Sequence, residues 1–93
     1  MERRALLMNE KDNVAVVLDN IEIGDIIKIS HNGSIYYEVE ALDNIETFHK
    51  VAVKDIKLGE EVLKYGEVIG KAIKDIRLGE HSHINNIGSV MVL

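Results

Sequence analysis

One heptapeptide occurs twice in this chain and constrains its fold more than any other feature. It reads K-D-I-K-L-G-E at residues 54–60 and K-D-I-R-L-G-E at residues 74–80, and a more divergent copy, D-N-I-E-I-G-D, occupies residues 19–25. In each copy a glycine precedes an acidic residue that opens the next apolar segment. Because glycine adopts positive φ without a steric penalty, we predict that these glycines occupy equivalent turns between strands. They are Gly24, Gly59 and Gly79.

The segments between the repeats also predict short strands. Val14–Leu18 is a run of β-branched and apolar residues, and Asn32-Gly33 predicts a two-residue hairpin turn. We expect the Ile and Leu side chains of the repeats to pack beneath their turns, and we expect residues 88–93 to form a final strand. The pattern requires no helix longer than about two turns. The predicted fold class is therefore all-β, a small domain of short strands and glycine-closed turns. The repeat side chains concerned are Ile56, Leu58, Ile76 and Leu78.

The length of the chain bounds its organisation. Its 93 residues allow one domain, which we place at residues 13–93. Residues 1–12 hold an apolar run too short for a signal peptide or a membrane span, so we predict a flexible N-terminal segment or a partner-binding arm. The sequence has no Cys, which excludes disulfides and thiolate metal sites and fits a reducing cytoplasm.

Charge and aromatic content argue against nucleic acid as a partner. The formal net charge is −5, whereas a phosphate-binding surface needs clustered Lys and Arg. Three Tyr and one Phe are too few for a base-stacking platform. We therefore expect neither nucleic-acid nor membrane binding.

His81 and His83 are the strongest candidates for chemistry. On a strand, residues two apart face the same side, so both imidazoles can converge on one metal ion or one anionic ligand. A transition-metal site needs three or four protein ligands. The remaining ligands would have to come from His49, a nearby carboxylate or another chain. The alternative is that His81 and His83 are ordinary surface histidines on a polar strand face.

Two further positions could contact a ligand. His49-Lys50 could bind a carboxylate or polarise a hydroxyl, but composition alone favours a solvated loop pair. Tyr65 could present its phenol to a ligand, or it could pack across strands with its hydroxyl in water. No nucleophile elbow, P-loop or dinucleotide fingerprint is present, so the residues alone do not define a complete active site.

The segment from His49 to Asn86 resembles a known family. It contains H-K-V-A, D-I-K-L-G-E, Y-G-E-V-I-G and G-E-H-S-H-I-N-N in that order. This order and spacing are similar to those of the small subunit, or N-terminal domain, of altronate and galactarate dehydratases. The same module resembles the alpha subunit of sulfolactate sulfo-lyase. The resemblance implies a SAF-type domain with a β-clip fold.

The resemblance also implies a function. Such a domain would be the small subunit of a hydro-lyase, inactive alone, which completes the site of a large catalytic subunit acting on a sugar acid. The assembled enzyme would use a divalent metal ion, often iron. His81 and His83 would be catalytic or bind metal, and the substrate-binding residues implied are His49, Lys50, Tyr65 and Asn86.

The chain departs from the family pattern at two positions. Ser82 stands where Val is usual, and Asn85 stands where the pattern has a third His. An amide is a weaker ligand than imidazole for late transition metals. A stand-alone SAF module that binds a carbohydrate or a partner chain is the alternative from a different class, and homo-oligomerisation stays open.

Overall fold

The computed structural model describes residues 2–83 and 85–88, which form nine short strands in two sheets. The six-stranded sheet has the order β4-β3-β1-β2-β5-β8, and the three-stranded sheet has the order β6-β7-β9. None of the described residues is helical, which confirms the all-β prediction. Most of the predicted last strand, residues 89–93, lies outside the described part of the chain. The strands are β1 (Arg3–Leu6), β2 (Val14–Val17), β3 (Ile26–His31), β4 (Ser34–Glu40), β5 (Lys50–Ala52), β6 (Glu61–Lys64), β7 (Glu67–Ala72), β8 (His81–Ser82) and β9 (Ile87–Gly88).

The N-terminal segment differs from its predicted flexibility. Strand β1 lies inside the six-stranded sheet, antiparallel to β2 and parallel to β3. Ala5 and Leu7 are buried in the core of that sheet, and the Leu7 N–H donates to the Ser30 carbonyl oxygen. The expectation of a free arm is therefore wrong for residues 3–7, because their backbone completes the hydrogen bonding of two other strands.

Four turns of one geometry connect the strands. They comprise residues 20–25, 44–49, 55–60 and 75–80, which we call turns 1 to 4. Each begins with Asn or Asp followed by Ile, and each has a positive φ at its fifth residue. The fifth residues are Gly24 (φ 93°), Phe48 (φ 72°), Gly59 (φ 88°) and Gly79 (φ 94°). The predicted equivalence of the three glycine turns is confirmed, and turn 2 is a fourth copy that carries Phe instead.

The turns interlock in two pairs, turn 1 with turn 2 and turn 3 with turn 4. In the second pair, Ile56 and Ile76 exchange backbone hydrogen bonds of 2.7 Å. The leading Asp of each turn accepts a hydrogen bond of 2.8 Å from the fourth N–H of the other turn. Turns 1 and 2 repeat this arrangement with Asn20 and Asn44 as acceptors. Residues distant in sequence are therefore fixed against each other by polar groups at the turn ends.

The interlocking decides which repeat side chains are buried. Ile56 and Ile76 are almost fully buried, as predicted. Leu58 and Leu78 are 64% and 43% exposed, so the prediction that they pack beneath the turns is wrong. Their N–H groups point at the Asp of the partner turn, and their side chains are left at the surface.

Two apolar clusters fill the interior. The larger lies on the six-stranded sheet, and the smaller joins β2 and β5 to the three-stranded sheet. Strand β5 contributes to both, because alternate residues of a strand face opposite sides. Val51 belongs to the larger cluster and Ala52 to the smaller one. The histidine site described below lies on the face of β5 that carries Val51.

Candidate histidine site

Three histidines meet at one edge of the six-stranded sheet. His49 is the last residue of turn 2 and directly precedes β5, whereas His81 lies in β8 and His83 follows it. Strands β5 and β8 are antiparallel, with Val51 opposite His81. By strand alternation, His49 shares the face of Val51, and His81 and His83 continue that face on the neighbouring strand. The sheet therefore brings together residues that are 32 positions apart.

The three rings form a compact triangle with nearly parallel planes, which we call the histidine stack. His49 Nδ1 lies 3.0 Å from His81 Nε2, a hydrogen-bond distance. The ring centroids are separated by 5.0 to 5.2 Å, with interplanar angles of 12° to 28°. One nitrogen from each ring lies within 4.8 Å of the others. The spacing predicted the pairing of His81 with His83, and the structure adds His49 to it.

The surroundings of His81 favour its neutral imidazole. Burial lowers the pKa of His81, and the positive charges that His83 and His49 would carry lower it further, whereas Asp43 acts in the opposite direction. A hydrogen bond between His49 and His81 also requires one ring nitrogen to be unprotonated. A neutral imidazole has a free lone pair, so it can accept a proton or bind a metal ion.

Asn86 and Asp43 hold the histidine segment through its backbone. The buried Asn86 accepts a 2.7 Å hydrogen bond from the His83 N–H and donates one of 2.7 Å to the His81 carbonyl oxygen. Asp43 accepts a 2.8 Å hydrogen bond from the His81 N–H. The amide of Asn86, which the resemblance placed at the substrate, is thus engaged within the domain and positions His81 and His83.

The structure separates Lys50 and Tyr65 from the face of the stack. Lys50 pairs with Ser82 across β5 and β8, which places both on the opposite face of the sheet from Val51. Burial lowers the pKa of Lys50, and the neighbouring charge of Lys64 adds to this. Tyr65 lies in the β6–β7 hairpin, in the other sheet, and its ring contacts Lys64.

A cleft opens beside His81. Its lining includes Asp43, Lys74, Glu80 and the exposed Asn85. Asn85, at the position of the third His in the family pattern, thus offers an amide next to the site. The third imidazole of the stack is His49, which belongs to the H-K-V-A motif.

The sequence contained a signal for His49 that the repeat analysis missed. Residues 43–46, which lead into turn 2, read D-N-I-E and are identical to residues 19–22 of the divergent copy. Turn 2 went unrecognised because Phe48 and His49 replace the glycine and the acidic residue. A non-glycine residue at positive φ costs about 1–2 kcal/mol, and Phe48 is 71% exposed. Strain of this kind is concentrated at functional sites.

The buried hydroxyl of Ser82 provides a test of hydrogen bonding at this edge of the sheet. Its side chain is fully buried, and its Oγ has no hydrogen-bond partner among the described residues. Replacing a buried, unsatisfied hydroxyl with hydrogen removes a desolvation penalty of about 1 kcal/mol or more. We expect Ser82→Ala to leave the free energy of unfolding in urea unchanged or to raise it by about 1 kcal/mol. A loss of that size would show that the hydroxyl is hydrogen-bonded, and Ser34→Ala on the exposed hairpin is the control.

Comparison with known proteins places these features in a family context. The model of the altronate/galactarate dehydratase SAF domain matches residues 3–90. Altronate dehydratase of Bacillus subtilis (strain 168) is 37% identical over 79 residues, which are 85% of this chain and 15% of that enzyme. Altronate dehydratase of Escherichia coli (strain K12) is 36% identical over 75 residues, 81% of this chain and 14% of that enzyme.

A second kind of relative is much shorter. The (2R)-sulfolactate sulfo-lyase subunit alpha of Chromohalobacter salexigens is 33% identical over 75 residues, 77% of this chain and 78% of that subunit. This chain therefore spans about one seventh of the altronate dehydratases and most of the sulfo-lyase subunit. Within the described residues, no helix is long and apolar enough to cross a membrane.

Proposed function

Because the chain belongs to the altronate/galactarate dehydratase SAF domain family, we propose that it is the small subunit of a hydro-lyase acting on a sugar acid such as altronate. In this proposal its histidine stack completes the active site of a separate large chain. The observation that carries the proposal is the stack of His49, His81 and His83, half-buried at a sheet edge next to an open cleft.

The lengths of the relatives support the proposal of a large partner chain. The altronate dehydratases contain more than 80% of sequence beyond the matching segment. The matching segment is thus a small part of those enzymes, and we propose that a large catalytic chain supplies the groups that complete the site. The sulfo-lyase relative is named a subunit, which shows that a protein of similar extent works within an assembly.

The chemistry of dehydration fits what the stack can do. Removal of water from a hydroxy acid breaks a C–H bond beside the carboxylate and a C–O bond on the next carbon. One group must accept the proton, and the leaving hydroxide must receive one. A neutral imidazole can take the proton and an imidazolium can return it, so we assign these roles to His81 and His83. A divalent metal ion, iron included, would supply Lewis-acid polarisation of a substrate oxygen.

We propose substrate contacts for residues that line the cleft, rather than for all the substrate-binding residues that the family resemblance implied. Lys74 and Asn85 line the cleft beside His81 and could bind carboxylate and hydroxyl groups. His49 is within the stack itself. Lys50 and Tyr65 lie away from this cleft, so they could contact substrate only if the large chain covers both sheets.

A sulfo-lyase role is the second candidate. It is favoured by the extent of the match, since the chain covers 78% of the sulfo-lyase subunit alpha. The same elimination would then release sulfite, by breaking a C–S bond instead of a C–O bond. The histidine roles would be unchanged, because both reactions need proton transfer.

A chimaera tests the proposed function. The segment of Bacillus subtilis altronate dehydratase that matches this chain is replaced by residues 3–90. We expect the chimaera to dehydrate altronate, whereas the isolated chain gives no turnover. In the chimaera, His81→Ala and His83→Ala should each lower kcat by about a hundredfold or more, since general acid–base catalysis contributes on that order.

The folding of the same variants is the control. Both histidines are at the surface edge, so each substitution should change the free energy of unfolding by only about 0.5 kcal/mol. Retained activity with lost stability would show that the histidines are packing residues. A folded chimaera that dehydrates no sugar acid but releases sulfite from sulfolactate would favour the second candidate. A chimaera inactive on both would favour a binding module.

A further inference from the structure

We propose that His49, His81 and His83 form a three-imidazole site for a divalent transition-metal ion, with His49 recruited from the closing position of a repeated structural turn. This deepens the proposed function, because it names the ligand that the shared site would hold. It also revises one step: an imidazole bound to the ion has no free lone pair for a proton, so the proton transfers assigned above to His81 and His83 would fall to groups of the large chain. It rests on the stack and on the comparison of the four turns, and it does not depend on which substrate the assembled enzyme uses.

The closing residue is structural in three of the four turns. In turn 1, the Asp25 carboxylate accepts a 2.8 Å hydrogen bond from the N–H three residues earlier. Glu60 does the same in turn 3 at 2.6 Å, and Glu80 does so in turn 4. Each carboxylate thereby closes its own turn. An acidic residue is thus the ordinary choice at this position.

Turn 2 keeps the backbone geometry without that carboxylate. His49 donates its N–H to the Glu46 carbonyl oxygen at 3.0 Å, as the other closing residues do in their turns. Its ring lies against His81 instead of closing the turn, with 3.0 Å between His49 Nδ1 and His81 Nε2. Phe48 also keeps a φ of 72° that glycine adopts in the other copies. Turn 2 therefore lacks two groups that favour this turn and presents an imidazole to the stack.

The three imidazole nitrogen ligands determine which class of metal ion the site favours. Three imidazole nitrogens within 4.8 Å of one another suit iron, zinc, cobalt, nickel or copper. Calcium and magnesium prefer oxygen ligands and fit poorly. Three protein ligands leave at least one coordination position for water or substrate, which is typical of catalytic rather than structural sites. The hydrogen bonds of Asp43 and Asn86 to the His81 and His83 backbone hold the ligands in place.

Metal titration of the whole chain tests the site. The protein is stripped with a chelator, and Co²⁺ and Zn²⁺ are titrated by calorimetry, with visible absorption followed for Co²⁺. We expect one ion per chain, a cobalt spectrum of nitrogen ligation and a higher melting temperature with metal. His49→Gln and His83→Ala should each weaken Co²⁺ binding by about a hundredfold or more, since loss of a residue that only supports a ligand already costs about 10–100-fold.

The turn comparison supplies a variant that should lose metal but not stability. In Phe48→Gly/His49→Gln, glycine takes the positive φ and the amide oxygen can accept the N–H of Glu46, as carboxylates do in the other turns. We expect a melting temperature at or above that of the parent protein without metal, together with the same loss of Co²⁺ affinity. His31→Gln, which changes a histidine far from the stack in the β3–β4 hairpin, should bind Co²⁺ like the parent.

The outcomes separate this inference from the proposed function. No saturable Co²⁺ binding, or parent-like affinity in both His49→Gln and His83→Ala, would overturn the metal site whatever the chimaera does. Because no substrate or partner is present in the titration, one-to-one binding that these variants abolish would establish the site even if the chimaera proved inactive.

Discussion

Replacing Asp12 with Ala should lower the free energy of unfolding by about 3 kcal/mol or more, one of the two largest single-residue effects expected in this chain. Asp12 is fully buried, and its carboxylate accepts hydrogen bonds of 2.8 to 3.0 Å from the N–H groups of Asn9, Tyr65 and Gly66. It thereby fastens the segment after β1 to the β6–β7 hairpin. Alanine would leave these three donors without their acceptor, and a hydrogen bond to a charged group contributes about 1.5–3 kcal/mol.

Urea unfolding followed by circular dichroism measures this effect. Asp19→Ala is the matched control, since Asp19 also accepts a backbone N–H but at an exposed position. That change should cost about 1 kcal/mol or less. Equal midpoints for the Asp12 and Asp19 variants would contradict the assignment of Asp12 as the clamp between the two parts of the domain.

Gly79→Ala should be the second large effect, with a loss of about 3 kcal/mol, whereas Gly59→Ala should cost about 1–2 kcal/mol. The two glycines hold the same position in turns 4 and 3, with φ of 94° and 88°. A Cβ on Gly59 would meet no atom within 4 Å. A Cβ on Gly79 would overlap the carbonyl oxygen of Glu40, at the end of β4. The first substitution therefore measures backbone strain alone, and the second adds a steric clash.

Thermal and urea unfolding of the two variants in parallel give the comparison. A difference of less than about 0.5 kcal/mol would mean that turn 4 does not pack against the end of β4. Leu42 N–H donates to the Gly79 carbonyl oxygen at 2.9 Å, so the clash should also displace the segment that leads to Asp43 and His81. We therefore expect Gly79→Ala, unlike Gly59→Ala, to weaken Co²⁺ binding as well.

The sequence by itself determined the elements of the fold. The conformation of a short apolar run and of the glycine-closed turn after it depends mainly on neighbouring residues. The repeat therefore predicted the strands and the positive φ of Gly24, Gly59 and Gly79. The same locality explains why the Asn32-Gly33 hairpin was predictable, with φ of 51° and 79° at its two residues. Strand alternation likewise paired His81 with His83.

Only the tertiary structure decided which distant groups meet. The exposure of Leu58 and Leu78 and the position of β1 within the sheet depend on strands and turns remote in the chain, and local patterns carry no such information. His49 meets His81, 32 residues away, because β8 pairs with β5. The conformational entropy lost in ordering the two strands is offset by burial of the apolar core. The sequence therefore paired His81 with His83 and named His49 as one of several possible further ligands, and the pairing of β5 with β8 decided that His49 joins them.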